Sequence, residues 1–167
     1  MTPPASFRIA MVGCGHSVTE STLGIQWHVL GMYAPSFVTG SLIGRFGVRP
    51  MIGAGFALIL LAATIGLAGV SVWNFWIGLM VLGVGWNFAF IGATTLVTEC
   101  HDPHERNKVQ AFNDFLVFGT MAVGSFSSGA LLAHYGWVVV NGVVFPVILA
   151  AVVLLAWGSL ARRPAEA

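Results

Sequence analysis

Four polar side chains fall inside otherwise apolar stretches of this sequence and are best placed to do chemistry: His28, Asn87, Asn113 and Asp114. A histidine titrates near neutral pH, and a carboxylate can take up a proton or pair with an arginine. An amide donates and accepts hydrogen bonds at the same time. Structural roles compete: hydrogen bonding between helices for His28 and Asn87, and hydration or a helix-end charge effect for Asp114.

A short polar segment carries residue types that ligate metals, namely Glu99, Cys100, His101, Asp102, His104 and Glu105. Their spacing matches no standard zinc pattern, and Asp102 followed by Pro103 fits a turn between helices. The Gly83-x-Gly85 pair lies in an apolar stretch that no strand precedes, so it is not a dinucleotide site. No catalytic set of Ser, His and Asp or of Cys and His is supported. We therefore expect no metal site, no cofactor and no enzyme activity.

Composition defines the environment in which these side chains act. Of the 167 residues, 57% are hydrophobic and only 8% are charged, and the mean hydropathy is +0.87. Soluble domains carry about 25% charged residues, so lipid is the solvent that fits this chain. The formal net charge of +1 gives no sign of a nucleic-acid partner, and the two cysteines make no disulfide framework.

Five apolar stretches must position the polar residues, and each is close to the length of about 20 residues that a spanning helix needs. We name them predicted helices A to E, over residues 23–44, 51–70, 73–98, 109–133 and 137–160. His28 falls in A, Asn87 in C, and Asn113 with Asp114 in D. The sequence thus predicts an all-α fold, a polytopic transmembrane bundle of about five spanning helices with membrane lipid around it.

Basic residues in the connections predict the orientation of this bundle. Six of the seven lie on one side, in the A–B connection, the C–D connection and the tail: Arg45, Arg49, Arg106, Lys108, Arg162 and Arg163. Only Arg8 departs from the pattern. Because basic residues favour the cytoplasmic side, we expect these connections and the C-terminus to be cytoplasmic.

The first twenty residues contain an apolar stretch that is too short to span a membrane. Residues 4–14 resemble the last turns of a further spanning helix, and no cleavable signal is visible. Five spans with a cytoplasmic C-terminus place the N-terminus outside. We therefore expect residues 1–20 to be the remnant of a truncated helix plus an outer loop, 21–161 a five-helix membrane domain, and 162–167 a cytoplasmic tail. The chain is expected to be a fragment.

Many of the 21 glycines lie inside the predicted spans. In lipid, small residues let helix backbones approach closely. Gly40-xxx-Gly44 in helix A and Ser125-xxx-Gly129 in helix D are pairs of this kind. The expectation is tight packing between helices, with sliding interfaces as the alternative.

The A–B connection carries a motif in which Gly40, Arg45, Gly47 and Arg49 match a known pattern. The run resembles the signature loop of the major facilitator superfamily, in its weaker copy between the eighth and ninth helices. Gly44 stands where that signature has aspartate, and Val48 stands at a position that is usually basic. A glycine at position 47 suits a tight turn. The loop could be a simple hairpin anchored at the membrane surface or, as the resemblance implies, could pair with the other half of a transporter.

The resemblance makes helices A to E the eighth to twelfth of a bacterial member, a partial major facilitator fold. It implies a fragment of a secondary transporter that moves a small solute by alternating access, driven by an ion gradient such as a proton gradient. Besides lipid and the solute, the expected partner is a missing N-terminal half or other partner helices. The expected location is the bacterial inner membrane. His28, Asn87, Asn113 and Asp114 become candidates for the pathway or for coupling. Drugs, sugars, organic acids and metabolites are all open as substrates.

Two other classes compete with transport. A small structural or regulatory membrane subunit without transport activity would have the same helices. A membrane-embedded enzyme would need a cluster of ionisable residues at one depth, and the sequence offers only scattered ones.

Overall fold

The computed structural model describes residues 4–98 and 103–161, and the backbone of this part forms helices joined by short turns, without any strand. The helices are α1 (Pro4–Gly13), α2 (Val18–Tyr33), α3 (Ser36–Phe46), α4 (Val48–Ala68), α5 (Val72–Thr98), α6 (Arg106–Gly142) and α7 (Val144–Ala161), with a 3₁₀ turn (Pro103–Glu105) before α6. The predicted all-α fold is confirmed.

Predicted helix A is present as two helices, α2 and α3, that meet at Pro35. Proline has no backbone N–H, so the hydrogen bond that residue 35 would donate to the preceding turn is missing. Ala34 and Pro35 both keep right-handed helical φ and ψ angles, so α2 and α3 form one interrupted helix and not a hairpin. This helix begins at Val18, five residues before the predicted start at Leu23.

The early start of α2 has a local cause in a capping box. The Glu20 backbone N–H donates to the Ser17 hydroxyl at 3.1 Å, and the Ser17 backbone N–H donates to the Glu20 carboxylate at 2.8 Å. These two bonds satisfy backbone donors that the first turn of a helix leaves without partners.

Predicted helices D and E are separated where the sequence predicts a turn. The hydrogen bonding of α6 continues from Arg106 to Gly142, but Gly136 has a φ of 77° and a ψ of −180°. Val143, between α6 and α7, keeps helical angles, so residues 137–161 continue as one helix after the bend. The described chain therefore has five extended helical segments that match predicted helices A to E.

Within the described residues, three single helices are long and apolar enough to cross a membrane, namely α4, α5 and α6, and a shorter apolar helix covers Val144–Gly158. Helix α5 lies at the centre of the described bundle, packed between α2 and α4. At the α4–α5 end, the Phe7 and Phe75 rings pack edge-on against each other with centroids 6.2 Å apart, and the Trp137 ring lies against both. This aromatic cluster fixes α1 to α5 and to the end of α6.

Candidate functional site

Asn87 of α5 is buried and forms hydrogen bonds to groups on both sides of the bend in the α2–α3 segment. Its amide nitrogen donates to the Met32 carbonyl at 2.6 Å and to the Ser36 hydroxyl at 2.7 Å. Its amide oxygen lies 2.7 Å from the hydroxyl of Thr39, which also lies 2.8 Å from the Pro35 carbonyl. A proline bend leaves backbone groups without helical partners, and this one amide side chain bonds to both sides of the bend.

About two turns of α5 away, at Leu79, His28 joins the same two segments. Its Nδ1 atom lies 2.9 Å from the Leu79 carbonyl, and the ring is buried. Between the two polar contacts the backbones touch: a Cβ atom added to Gly83 would overlap the His28 carbonyl and lie 3.0 Å from the Met32 nitrogen. Gly31 faces this crossing from the other side, where an added Cβ would lie 2.6 Å from the Met80 carbonyl oxygen.

The opposite side of α5 contacts α4 through a second glycine crossing. A Cβ atom on Gly55 would lie 2.6 Å from the Ala89 nitrogen and 2.8 Å from the Gly85 carbonyl oxygen. Only residues without larger side chains permit such an approach. Helix α5 is therefore held by small residues on two faces.

The glycine pairs read from the sequence are not at these crossings. At Gly40, Gly44 and Gly129, an added Cβ would have no atom of another described helix within 4 Å. The expectation of close packing at Gly40-xxx-Gly44 and Ser125-xxx-Gly129 is therefore wrong within the described chain. Spacing shows that two small residues share a helix face, but it does not show which face meets another helix.

The loop motif forms a tight turn between α3 and α4. Gly47 has a φ of 89° and a ψ of 161°, and its N–H donates to the Ile43 carbonyl at 2.8 Å. The Arg45 guanidinium carbon lies 5.4 Å from the centre of the Phe46 ring, and Arg49 is exposed. A groove of about 540 Å³ opens beside the turn, lined by Ile43, Gly44, Gly47, Val48, Arg49, Pro50, Thr95 and Leu96.

Asn113 and Asp114 lie on α6, apart from the two α5 interfaces. The Asp114 carboxylate is half-buried and accepts from the Gln110 amide at 3.0 Å and from the Asn113 amide at 3.4 Å. The structure thus places the polar candidates in two regions, the interface of α5 with the α2–α3 segment and the start of α6, and does not gather them into one cluster. Their roles in a pathway or in coupling stay predictions. The possible ligands Glu99, Cys100, His101 and Asp102 lie outside the described residues.

An aromatic pair on α5 was missed by the sequence reasoning, although both residues lie one helical turn apart in a predicted span. The rings of Trp86 and Phe90 are stacked, with centroids 5.5 Å apart and planes inclined by 14°. Both side chains are half-buried.

The family model of the major facilitator superfamily matches residues 10–167. The chain belongs to this superfamily. A riboflavin transporter, RfnT of Brucella anthropi, is 54% identical over 147 residues, which cover 88% of this chain and 37% of that protein. Two uncharacterized transporters of the same type from Bacillus subtilis, YddS and YdeG, are 33% and 34% identical over 144 and 148 residues.

This chain spans only about a third of each of these curated relatives: 37%, 33% and 34% of their lengths. No solved structure gives a significant match. All three relatives are named as transporters, and this chain belongs to their superfamily and matches part of each. The comparisons give no support to the structural-subunit or enzyme alternatives.

Proposed function

We propose that this chain supplies most of the C-terminal half of a transporter that carries riboflavin, or a closely similar flavin, across the bacterial inner membrane. The observation that carries the proposal is the 54% identity to a riboflavin transporter over 88% of the chain. The two Bacillus relatives are less similar and have no named substrate, so they do not favour another solute.

Packing around α5 suits a transporter half that moves as one body. Two glycine crossings and the bonds of Asn87 and His28 tie α5 to α2, α3 and α4. Alternating access needs such rigid units, because two bundles rock about a central site. In this proposal His28 and Asn87 hold the unit together.

Asp114 is the residue that we assign to coupling with protons. Its hydrogen-bond donors among the described residues are the neutral amides of Gln110 and Asn113. A carboxylate held by neutral donors, and not by a fixed cation, can exchange a proton without leaving a buried positive charge behind. Asn113 then helps to orient the carboxylate.

The orientation in the membrane follows from the basic residues. Arg45 and Arg49 flank the Gly47 turn, and Arg106 and Lys108 begin α6. Attraction to anionic lipid headgroups favours the cytoplasmic side for both, which also places the C-terminus there. The large exposed apolar side chains of α6 are available to lipid and to an N-terminal half.

A chimeric transporter tests the proposal. Residues 10–167 of this chain replace the matching part of the Brucella riboflavin transporter, and uptake of labelled riboflavin is measured in a bacterial riboflavin auxotroph. We expect saturable uptake by the chimera and none by the 167-residue chain alone. A chimera that reaches the membrane in normal amounts but takes up no riboflavin contradicts the proposal.

A further inference from the structure

Trp86 differs from the other half-buried tryptophans of the described chain. The Trp76 indole N–H donates to the Glu20 carbonyl at 3.0 Å, and the Trp137 indole N–H donates to the Gly66 carbonyl at 2.8 Å. Within residues 4–98 and 103–161, the Trp86 N–H has no hydrogen-bond partner. The N–H group of a buried tryptophan usually has a hydrogen-bond partner. The Trp86 N–H is therefore a donor that the described residues leave unused.

The position of Trp86 on α5 follows from the two helix crossings. Gly83 and Asn87 contact the α2–α3 segment, while Gly85 contacts α4. At 3.6 residues per turn, Trp86 and Phe90 belong to one strip along α5, in which Trp86 lies between these two faces and Phe90, two turns after Gly83, lies at the edge of the α2–α3 face. Both crossings therefore fix the backbone under the pair.

The side chains of that strip are fully buried at one end and partly exposed at the other. Leu79, two turns before Trp86 on the same strip, is completely buried in the core with Phe7 and Met11. Trp86 and Phe90 remain only half-buried. The strip thus changes from a sealed core to an accessible aromatic surface within one helix.

We propose that Trp86, backed by Phe90, is the stacking platform for the isoalloxazine ring of the transported flavin. Phe90 stacks on one side of the indole in an offset, nearly parallel arrangement, and the proposal places the flavin ring on the other side of the half-buried indole. This inference rests on the proposed function, since the relative's riboflavin supplies the ligand class.

The free N–H gives the platform a second point of recognition. It points along the plane of the indole and so cannot reach a ring stacked on the face. It can reach an oxygen at the edge of the stack, and the hydroxyls of the ribityl chain are the flavin groups that can bend to this position. Stacking then selects the ring, and the N–H selects the chain attached to it.

Three substitutions separate these contributions, measured as the KM for riboflavin uptake in the chimera described above. Trp86→Leu removes the ring and is expected to raise KM about 3- to 10-fold, the factor that one aromatic stacking contact of ordinary strength produces. Trp86→Phe keeps a ring without the donor and raises KM less. Phe90→Leu loosens the backing ring and has the smallest effect. Trp157→Leu, at an exposed site on α7, is the matched control and leaves KM unchanged.

A direct binding measurement keeps this inference distinct from the transport proposal. A stacked indole quenches flavin fluorescence, so the 167-residue chain in lipid nanodiscs is titrated with riboflavin. We expect quenching that Trp86→Leu abolishes and Trp157→Leu does not. Quenching that depends on Trp86, in a chimera without uptake, supports the platform and overturns transport. If Trp86→Leu changes neither the KM for uptake nor the quenching, the stacking platform is wrong and the transport proposal stands. If the chimera shows no uptake and the chain shows no quenching, both proposals are wrong.

Discussion

Helices α5 and α6 are the two longest of the described chain, with 27 and 37 residues, and both are apolar enough to span a membrane. Their surroundings are opposite. In the most apolar 18-residue stretch of each, 44% of the residues are buried in α5 and only 6% in α6. The hydropathy of a helix therefore says that it sits in lipid, but not whether it packs against protein.

The residue types at the two surfaces explain the difference. Helix α5 meets its neighbours through Gly83 and Gly85 and through the amide of Asn87. Helix α6 presents large side chains outward, among them Phe115 at 71% and Phe126 at 84% exposure. Because lipid tails are as apolar as these rings, no hydrophobic force draws them onto another helix. Close backbone contact and hydrogen bonds are what hold α5.

The largest effect is expected from Gly83→Leu in α5. The new side chain would collide with the backbone of α2 at His28 and Met32, and backbone cannot move aside as a flexible side chain can. We expect a loss of about 3 kcal/mol in the free energy of unfolding, the upper end of overpacking penalties. The measurement is unfolding in mixed micelles with rising SDS, followed by tryptophan fluorescence.

Gly119→Leu in α6 is the control, because an added Cβ there would have no atom of another described helix within 4 Å. Equal losses for the two variants would mean that the α2–α5 crossing is not as close as described.

Gly136→Ala comes next and tests a different property of glycine. An added Cβ would have no atom of another described helix within 4 Å. However, a φ of 77° with a ψ near 180° is a backbone conformation that residues with a Cβ atom rarely adopt. We expect a loss of about 2 kcal/mol from backbone strain alone. The same micelle unfolding measures it, with Gly119→Ala as the helical control. A neutral Gly136→Ala would show that the bend is not maintained in lipid.

Asn87→Leu removes the hydrogen bonds on both sides of the Pro35 bend. Interhelical hydrogen bonds in membranes contribute about 0.6 kcal/mol on average and up to about 1.7, so we expect a loss of about 1.5 kcal/mol. Asn113→Leu on α6 should cost below about 0.5 kcal/mol, since its amide contact is long and within its own helix. The contrast between α5 and α6 breaks down if the order of these two losses is reversed.

The smallest effect is expected from Phe126→Ala on the outer surface of α6. With 84% of the side chain exposed, truncation should change the stability of this chain in lipid by no more than about 0.5 kcal/mol. Phe75→Ala in α5, where the ring is buried, must cost more in the same assay. A large loss at Phe126 would show that another copy of the chain covers α6.

Much of the architecture could be predicted because its signals are local. Apolar length gave the five helical segments, and Gly47 marked the tight turn between predicted helices A and B. The positive φ angles of Gly15 and Gly136 were not predicted. Two further local signals were present but not used. The Ser17 and Glu20 spacing predicts the start of α2, and Pro35 predicts the break between α2 and α3.

The candidate site was less predictable. Asn87 and His28 were identified as polar residues in spans, but each has a backbone carbonyl among its partners, at Met32 and Leu79, and any sequence offers carbonyls at every position. The Trp86–Phe90 pair has no distinguishing sequence signal, because aromatic residues at helical spacing usually fill a core.

The sequence by itself determined that this chain is a bundle of apolar helices of the major facilitator type. In lipid a backbone must satisfy its hydrogen bonds within its own segment, so apolar length is enough to define a helix. Only the tertiary structure decided that Gly83 and Gly55 lie at crossings while Gly40 and Gly44 do not. The physical reason is that helical spacing only determines which small residues share a face. Whether that face makes a close contact depends on where the backbone of another helix lies.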